Sequence, residues 1–380
     1  MDNCSLFAHA MAANYHLVSV CLPAAKDAPF LMIADIEHLL PFVLNPHNIA
    51  RFEDGVVLIG DRSRYPLEKQ FVACRTVEAV AVAIETMVTQ GAGPWQAAAC
   101  GLALAGRAAD AMPSAKALAH MEQARQRLVA TRPTNTAMAR RLALAMQAVQ
   151  AAHAARNSLE DAVLDWLAQL REQIYADYVA RAKLGAQLIQ DGDGILTMCF
   201  AEAAFVLAMA FAHQAGKQIH VFVPETRPFL QGAKLTAPSL HELGIPVTLI
   251  TDSMGAAVMA QGKIQRYFTA ADLVTLDGHV VNKVGTFAHA IAADYHQIPY
   301  YVFVWGLDPQ RPNRASIEIE ERNSAEITHF KNEPITNPAI NAYYPAFDIT
   351  PPELVTGIIT KHGVYKPSQL QELMSMFQLS

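Results

Sequence analysis

Between Cys199 and Thr286, a series of polar clusters follows, or lies near, short apolar runs. Cys199 comes directly after Ile195–Met198, and a helix is expected to start behind it. The N–H groups and dipole at a helix N-terminus lower a thiol's pKa, which makes Cys199 a candidate reactive thiol. The competing reading is a small buried core residue. Asp272 follows Ile264–Ala271 and precedes Leu273-Val274. A carboxyl desolvated between apolar neighbours has a raised pKa and suits a general acid. The competing reading is a turn aspartate, although Asp277-Gly278 is the better turn signal.

Further along, Asn282-Lys283-Val284-Gly285-Thr286 opens a helix after a short strand. An ammonium, an amide and free backbone N–H groups there suit a phosphate. A solvated loop with one exposed lysine is the alternative. Glu225-Thr226-Arg227-Pro228 with Gln231 offers an arginine for a carboxylate or phosphate and an amide for hydroxyls. Thr131-Arg132-Pro133-Thr134-Asn135 adds a second arginine, and Thr89-Gln90-Gly91-Ala92-Gly93 adds glycines that let a ligand approach the backbone. Each cluster alone is weak. Together, a thiol, an acid, phosphate binders and hydroxyl binders describe one site.

Such residues need a scaffold that gathers them. From Ile195 the chain alternates strand and helix: Ile195–Met198, Ala201–Ala215, Gln218–Val223, Ala237–Leu243, Val247–Thr251, Ser253–Gln261, then Thr286–His296 and Tyr300–Val304. This rhythm predicts a parallel, doubly wound sheet, in which ligands bind at the carboxyl ends of the strands. Residues 1–60 read as short strands and turns, with apolar runs at Leu17–Leu22, Phe30–Ile33 and Val56–Ile59. Val77–Met146 reads as alanine-rich helices broken at Gly91–Pro94 and Thr131–Thr134. A further helix is expected over Ser158–Ala182, with Ser158 as its cap. The expected fold class is α/β, with an N-terminal domain over 1–184 (short strands, then helices) and a C-terminal domain over 185–380.

The bulk composition excludes several function classes. The chain has 380 residues, 29 Lys and Arg against 35 Asp and Glu, and a net charge of −6, so no general attraction to nucleic acid or anionic membrane is expected. Its five cysteines are odd in number and contain no C-x-x-C, which fits neither a zinc site nor a disulfide framework and favours a reducing cytoplasm. The start lacks the pattern of a signal peptide, and the most apolar segment, near Ile195–His213, contains Glu202 and is too mixed to span a bilayer. His213, His220, His241, His289 and His296 form no metal-like grouping, and Trp95, Trp166 and Trp305 read as packing residues. There is no G-x-S-x-G, Walker A or G-x-G-x-x-G motif.

Taken in order, the motifs resemble the methylthioribose-1-phosphate isomerases, a family related to the α, β and δ subunits of the translation factor eIF2B. The resemblance runs from D-R-S-R-Y-P at 61–66 through C-R-T-V-E-A-V at 74–80, T-R-P-T-N at 131–135 and I-L-T-M-C at 195–199. It continues in E-T-R-P-F-L-Q-G-A-K-L-T-A at 225–237, I-T-D-S-M-G at 250–255, A-A-D at 270–272 and N-K-V-G-T at 282–286, and ends with E-E-R-N at 320–323, Y-P-A-F-D-I-T-P at 344–351 and G-V-Y-K-P at 363–367. It implies a smaller N-terminal domain joined to a Rossmann-like C-terminal domain, a homodimer, and an aldose–ketose isomerase. That isomerase would convert 5-methylthioribose 1-phosphate to the ribulose form in methionine salvage, with no cofactor and no metal.

By position, Cys199 matches the family's catalytic cysteine and Asp272 its proton donor. Gln90, Gly91, Ala92, Arg132, Gln231, Asn282 and Lys283 match substrate-binding positions. Several neighbours depart: the family's R-G-A is Gln90-Gly91-Ala92 here, its H-C-N is Met198-Cys199-Phe200, and its G-A-D-R is Ala270-Ala271-Asp272-Leu273. The catalytic pair thus reads as intact and the substrate shell as altered. The alternatives are another C1-phosphorylated pentose (5-deoxyribose 1-phosphate or ribose 1,5-bisphosphate, the latter disfavoured by the lost charge) and a non-catalytic, regulatory binder of sugar phosphates or nucleotides.

Overall fold

Strands in the second half of the chain are short and apolar on both faces, as a sheet covered on two sides requires. Gly194–Leu196, Tyr300–Phe303 and Gly357–Thr360 are buried at every position. Successive residues serve opposite cores: Phe268 and Phe303 pack with Phe205 of the helix Glu202–Gln214, whereas Tyr267 and Val302 pack with Ala290 of the helix Thr286–Tyr295. The computed structural model describes residues 22–23, 32–132, 136–331 and 333–373. The expected strand at Leu17–Leu22 falls almost entirely outside the described residues, as do Pro133–Asn135.

These strands form one eight-stranded sheet. Six run parallel, in the spatial order Val247–Ile250, His220–Pro224, Gly194–Leu196, Arg266–Ala270, Tyr300–Phe303, Gly357–Thr360. Gly363–Tyr365 and Leu22–Pro23 close the far edge in antiparallel pairing. The chain starts in the middle at Gly194–Leu196, builds outward to one edge, then returns to Arg266–Ala270 and builds the other way. The reversal leaves a crevice between those two central strands at their carboxyl ends, the expected place for a ligand. Cys199 lies just beyond one of them and Asp272 just beyond the other.

The first half holds the helices Val77–Glu85, Gly93–Asp110, Ser114–Ala130, Thr136–Ala155 and Leu159–Leu188, with an antiparallel meander of Ala50–Glu53, Val56–Gly60 and Phe71–Cys74. The expected helical block is therefore divided once more, at Met112-Pro113, because proline cannot continue a helix from the preceding turn. Ile33 begins a short helix, Ile33–Ile36, rather than ending a strand. The Ser158 hydroxyl accepts from the Asp161 N–H at 3.1 Å, as its capping position predicts. The helix it caps runs 30 residues, about 45 Å at 1.5 Å per residue, and its Ile174 packs against the cores of both halves.

Candidate active site

A three-stranded antiparallel sheet brings the acid to the lysine. Val280–Lys283 pairs with Leu273–Val274 on one side and Phe347–Thr350 on the other. The turn at Asp277-Gly278 folds the chain back, and the Asp272 N–H donates to the Val281 carbonyl at 2.9 Å. Asp272 is thereby held beside Asn282 and Lys283 although ten positions separate it from Asn282 in the chain. All three line a cleft of about 430 Å³ together with Cys199, Gln231 and Gly91.

Cys199 sits in left-handed backbone conformation, φ 62°, and so does Glu202, φ 56°. Non-glycine residues in that region each cost roughly 1–2 kcal/mol, and such strain is concentrated at functional sites. The conformation turns the loop after Gly194–Leu196 into the cleft. The helix begins only at Glu202, three residues past the thiol. The expectation of a thiol made acidic by a helix N-terminus is therefore wrong here. Burial pushes the Cys199 thiol up to about 12, with Lys283 pulling down and Asp272 adding to the rise. This thiol is held protonated.

Asp272 is exposed, lining the cleft and also a neighbouring groove with Arg311 and Glu320. The protein packed around its carboxyl nevertheless pushes it up to about 6, opposed by Lys283 and reinforced by Glu202. Lys283 is 4% exposed, with its ammonium 4.7 Å from the centre of the Phe347 ring. Burial lowers its pKa, and Arg322 lowers it further. Its free backbone neighbours are another correction. The N–H groups of Gly285 and Phe287, expected to await a phosphate, donate instead to the Asp348 carboxylate at 2.6 and 3.1 Å. The Asn282 amide donates to the Thr286 hydroxyl at 3.1 Å, and the buried Gln231 carbonyl oxygen has no hydrogen-bond partner.

Several expected contributors lie elsewhere. Arg227 donates to the Ile327 carbonyl at 3.2 Å and lines a separate groove with Phe330. Arg132 donates to the Ile84 carbonyl at 2.9 Å and to the Met87 sulfur, away from the cleft lining. Gln90 contributes its carbonyl, which accepts from Arg62, while Ala92 lines an inner pocket that adjoins the cleft. No group of three or more His, Cys, Asp or Glu residues able to hold a metal occurs among the described residues. No helix among them is long and apolar enough to cross a membrane.

The comparisons with known proteins bear on this geometry. A model described as the initiation factor 2 subunit family matches residues 90–367. The chain belongs to that family. Among its relatives, the methylthioribose-1-phosphate isomerase of Pelotomaculum thermopropionicum is 38% identical over 330 residues, covering 83% of this chain and 89% of the relative. The 5-deoxyribose 1-phosphate isomerase of Moorella thermoacetica is also 38% identical, over 333 residues, covering 85% and 95%. Among solved structures, 5-methylthioribose 1-phosphate isomerase from Pyrococcus horikoshii OT3 superimposes with a TM-score of 0.79 at 28% identity, covering 90% of this chain and 98% of that one. Translation initiation factor eIF-2B subunit delta from A. fulgidus gives 0.78 at 32% identity, covering 84% and 96%.

Within this family member, four further side chains complete the cleft, and reading clusters behind strands did not find them: Glu202, Tyr178, Arg181 and Arg322. Arg181 is 2% exposed, donates to the Val304 carbonyl at 2.9 Å, stacks 3.8 Å from the Trp305 ring, and leaves one guanidinium nitrogen without a partner. Trp305 is thus a wall of the cleft rather than core packing, and at 44% exposure it faces outward into it. The available signals were Glu202, the one charge inside an apolar segment, and the E-E-R-N motif containing Arg322.

Proposed function

We propose that the chain is a sugar-phosphate aldose–ketose isomerase, an intramolecular oxidoreductase acting on 5-methylthioribose 1-phosphate. The observation that carries this reading is the pairing of two weak acids, Asp272 with a carboxyl near 6 and Cys199 with a thiol near 12, in one cleft beside the Lys283 ammonium. A C1-phosphorylated aldose has no free carbonyl, so the ring must open before hydrogen can move between C1 and C2.

Protonated Asp272 donates to the ring oxygen as the C1–O bond breaks. The resulting carboxylate takes the proton from C2, giving an enol. The Cys199 thiol delivers its proton to C1, and the thiolate recovers the proton of the C2 hydroxyl as the ketone forms. Both groups end as they began, and no electrons enter or leave. Lys283 stabilises each transient anion. A general acid near neutral pKa and a water-poor cleft are what such a step needs. The Gln231 carbonyl oxygen and the Asn282 amide suit sugar hydroxyls, and the chain is read as a cytoplasmic homodimer.

The relative from Moorella thermoacetica supports a second reading, in which the sugar carries a bare methyl at C5. Purified protein, assayed by NMR on both sugar phosphates, tests the two together. Conversion of one or both to the 1-phosphoketose is expected, with Cys199→Ser and Asp272→Asn each reducing kcat by about 10²–10⁴, the range for a lost general acid or base. Full activity in both variants would sink the mechanism, and no turnover of any C1-phosphorylated pentose by the wild type would sink the function.

A further inference from the structure

An inner pocket of about 200 Å³ adjoins the catalytic cleft, sharing Gly91, Tyr178, Glu202 and Trp305 with it. It holds two guanidiniums, Arg62 and Arg141, against one carboxylate, Glu202, which already accepts the Tyr178 hydroxyl at 2.7 Å. Arg62 is 6% exposed and is held by two main-chain carbonyls, those of Val43 (2.7 Å) and Gln90. Arg141 lies 4.5 Å from the Trp95 ring centre. Glu202 stands beside Arg62, both lying against Gly91, but one carboxylate between two guanidiniums leaves the pocket net positive, and guanidinium is suited to a phosphate.

One more donor lines the pocket. The helix Gly93–Asp110 starts there, but its Gly93 N–H is given to the Gln90 carbonyl at 3.0 Å and Pro94 carries none. The Trp95 ring nitrogen, on a residue 4% exposed and lining the pocket, has no hydrogen-bond partner. The strand-end arginine also occupies a telling place. A Cβ built on Gly91 would lie 3.3 Å from the Arg62 guanidinium, so that cation stands against the bare backbone of the Gln90-Gly91-Ala92 turn.

We infer that Arg62, aided by Arg141, supplies the phosphate-binding charge that this chain lacks at position 90, and that the inner pocket receives the phosphate of the sugar. This rests on the sugar-phosphate reading of the cleft but is tested apart from it. Position 90 carries an uncharged glutamine where the resembling isomerases carry arginine, and the cation arrives from a different segment of the chain. The relocated charge makes Arg62 a specificity-determining residue.

Calorimetric titration with inorganic phosphate, which needs no turnover, is the deciding experiment. Wild type is expected to bind phosphate and Arg62→Gln to bind it roughly tenfold or more weakly, a loss of one charge-assisted contact. Adding Gln90→Arg to Arg62→Gln is expected to restore most of that affinity. In the isomerase assay Arg62→Gln is expected to raise KM by a similar factor and to leave kcat within about threefold. Undiminished phosphate affinity in folded Arg62→Gln protein, or no phosphate binding by wild type, overturns the inference. If Arg62→Gln does not fold, Arg141→Gln decides in the same way. A wild type that binds phosphate through Arg62 but isomerises no sugar would defeat the proposed function and leave this inference standing.

Discussion

The Tyr178 hydroxyl donates to Glu202 Oε2 at 2.7 Å, joining the long helix of the first half to the loop that carries the thiol. Glu202 holds its place in left-handed conformation, so this contact offsets local strain. Tyr178→Phe removes a hydrogen bond to a charged group, worth about 1.5–3 kcal/mol when buried and less where water reaches it. We expect a loss of about 1–2 kcal/mol in urea unfolding, with an unchanged m-value. A variant as stable as wild type would mean the hydroxyl contributes nothing to holding the loop.

Asp272 binds its proton more tightly in the folded chain, near 6, than at the ordinary aspartate value of 3.8. Its favourable contribution is therefore complete below about pH 4 and lost as the pH rises through about 6. Asp272→Asn escapes that loss, so its melting temperature relative to wild type should climb between pH 4 and pH 7. Parallel profiles for the two proteins would contradict the raised carboxyl. In catalysis the sign is the same: kcat/KM should fall above about pH 6 as the acid ionises. Lys283→Gln, by removing the cation that lowers this pKa, should move that limb to higher pH in the residual activity.

The protonated state of Cys199 has its own readout. Alkylating reagents attack thiolates, and a thiol near 12 presents almost none at pH 7.5. With Cys4 and Cys21 replaced by serine, iodoacetamide should label the folded protein far more slowly than free cysteine, because Cys74 and Cys100 are buried. Lys283→Gln should slow Cys199 further. Rapid labelling at position 199 would show an activated thiolate and would reverse the roles assigned to the two groups.

Cys199 and Asp272 were legible because each directly follows an apolar run, and in a doubly wound sheet that position is the crevice. The strand–helix rhythm from residue 195 onward survives in the structure with ends shifted by a residue or two. Tyr178 and Arg181 were not legible. They lie mid-helix, where periodicity reports only that a face is buried and not that the face borders a cleft. Arg62 was hidden differently. In the sequence it is only part of the D-R-S-R-Y-P motif, with no role of its own, and only the folded chain shows its guanidinium against Gly91. The thiol's protonation was not legible for a third reason: the sequence showed a helix following the sulfur but not the burial that raises its pKa.

The 30-residue helix from Leu159 spans both apolar cores and presents Tyr178 and Arg181 to the space between them. A molecule lodged at that seam touches both halves of the polypeptide at once and acts as a tie between them. Occupancy should then make the two cores melt in a single step at a higher temperature, so a calorimetric scan that sharpens as sugar phosphate is added would report the whole chain responding as one cooperative unit.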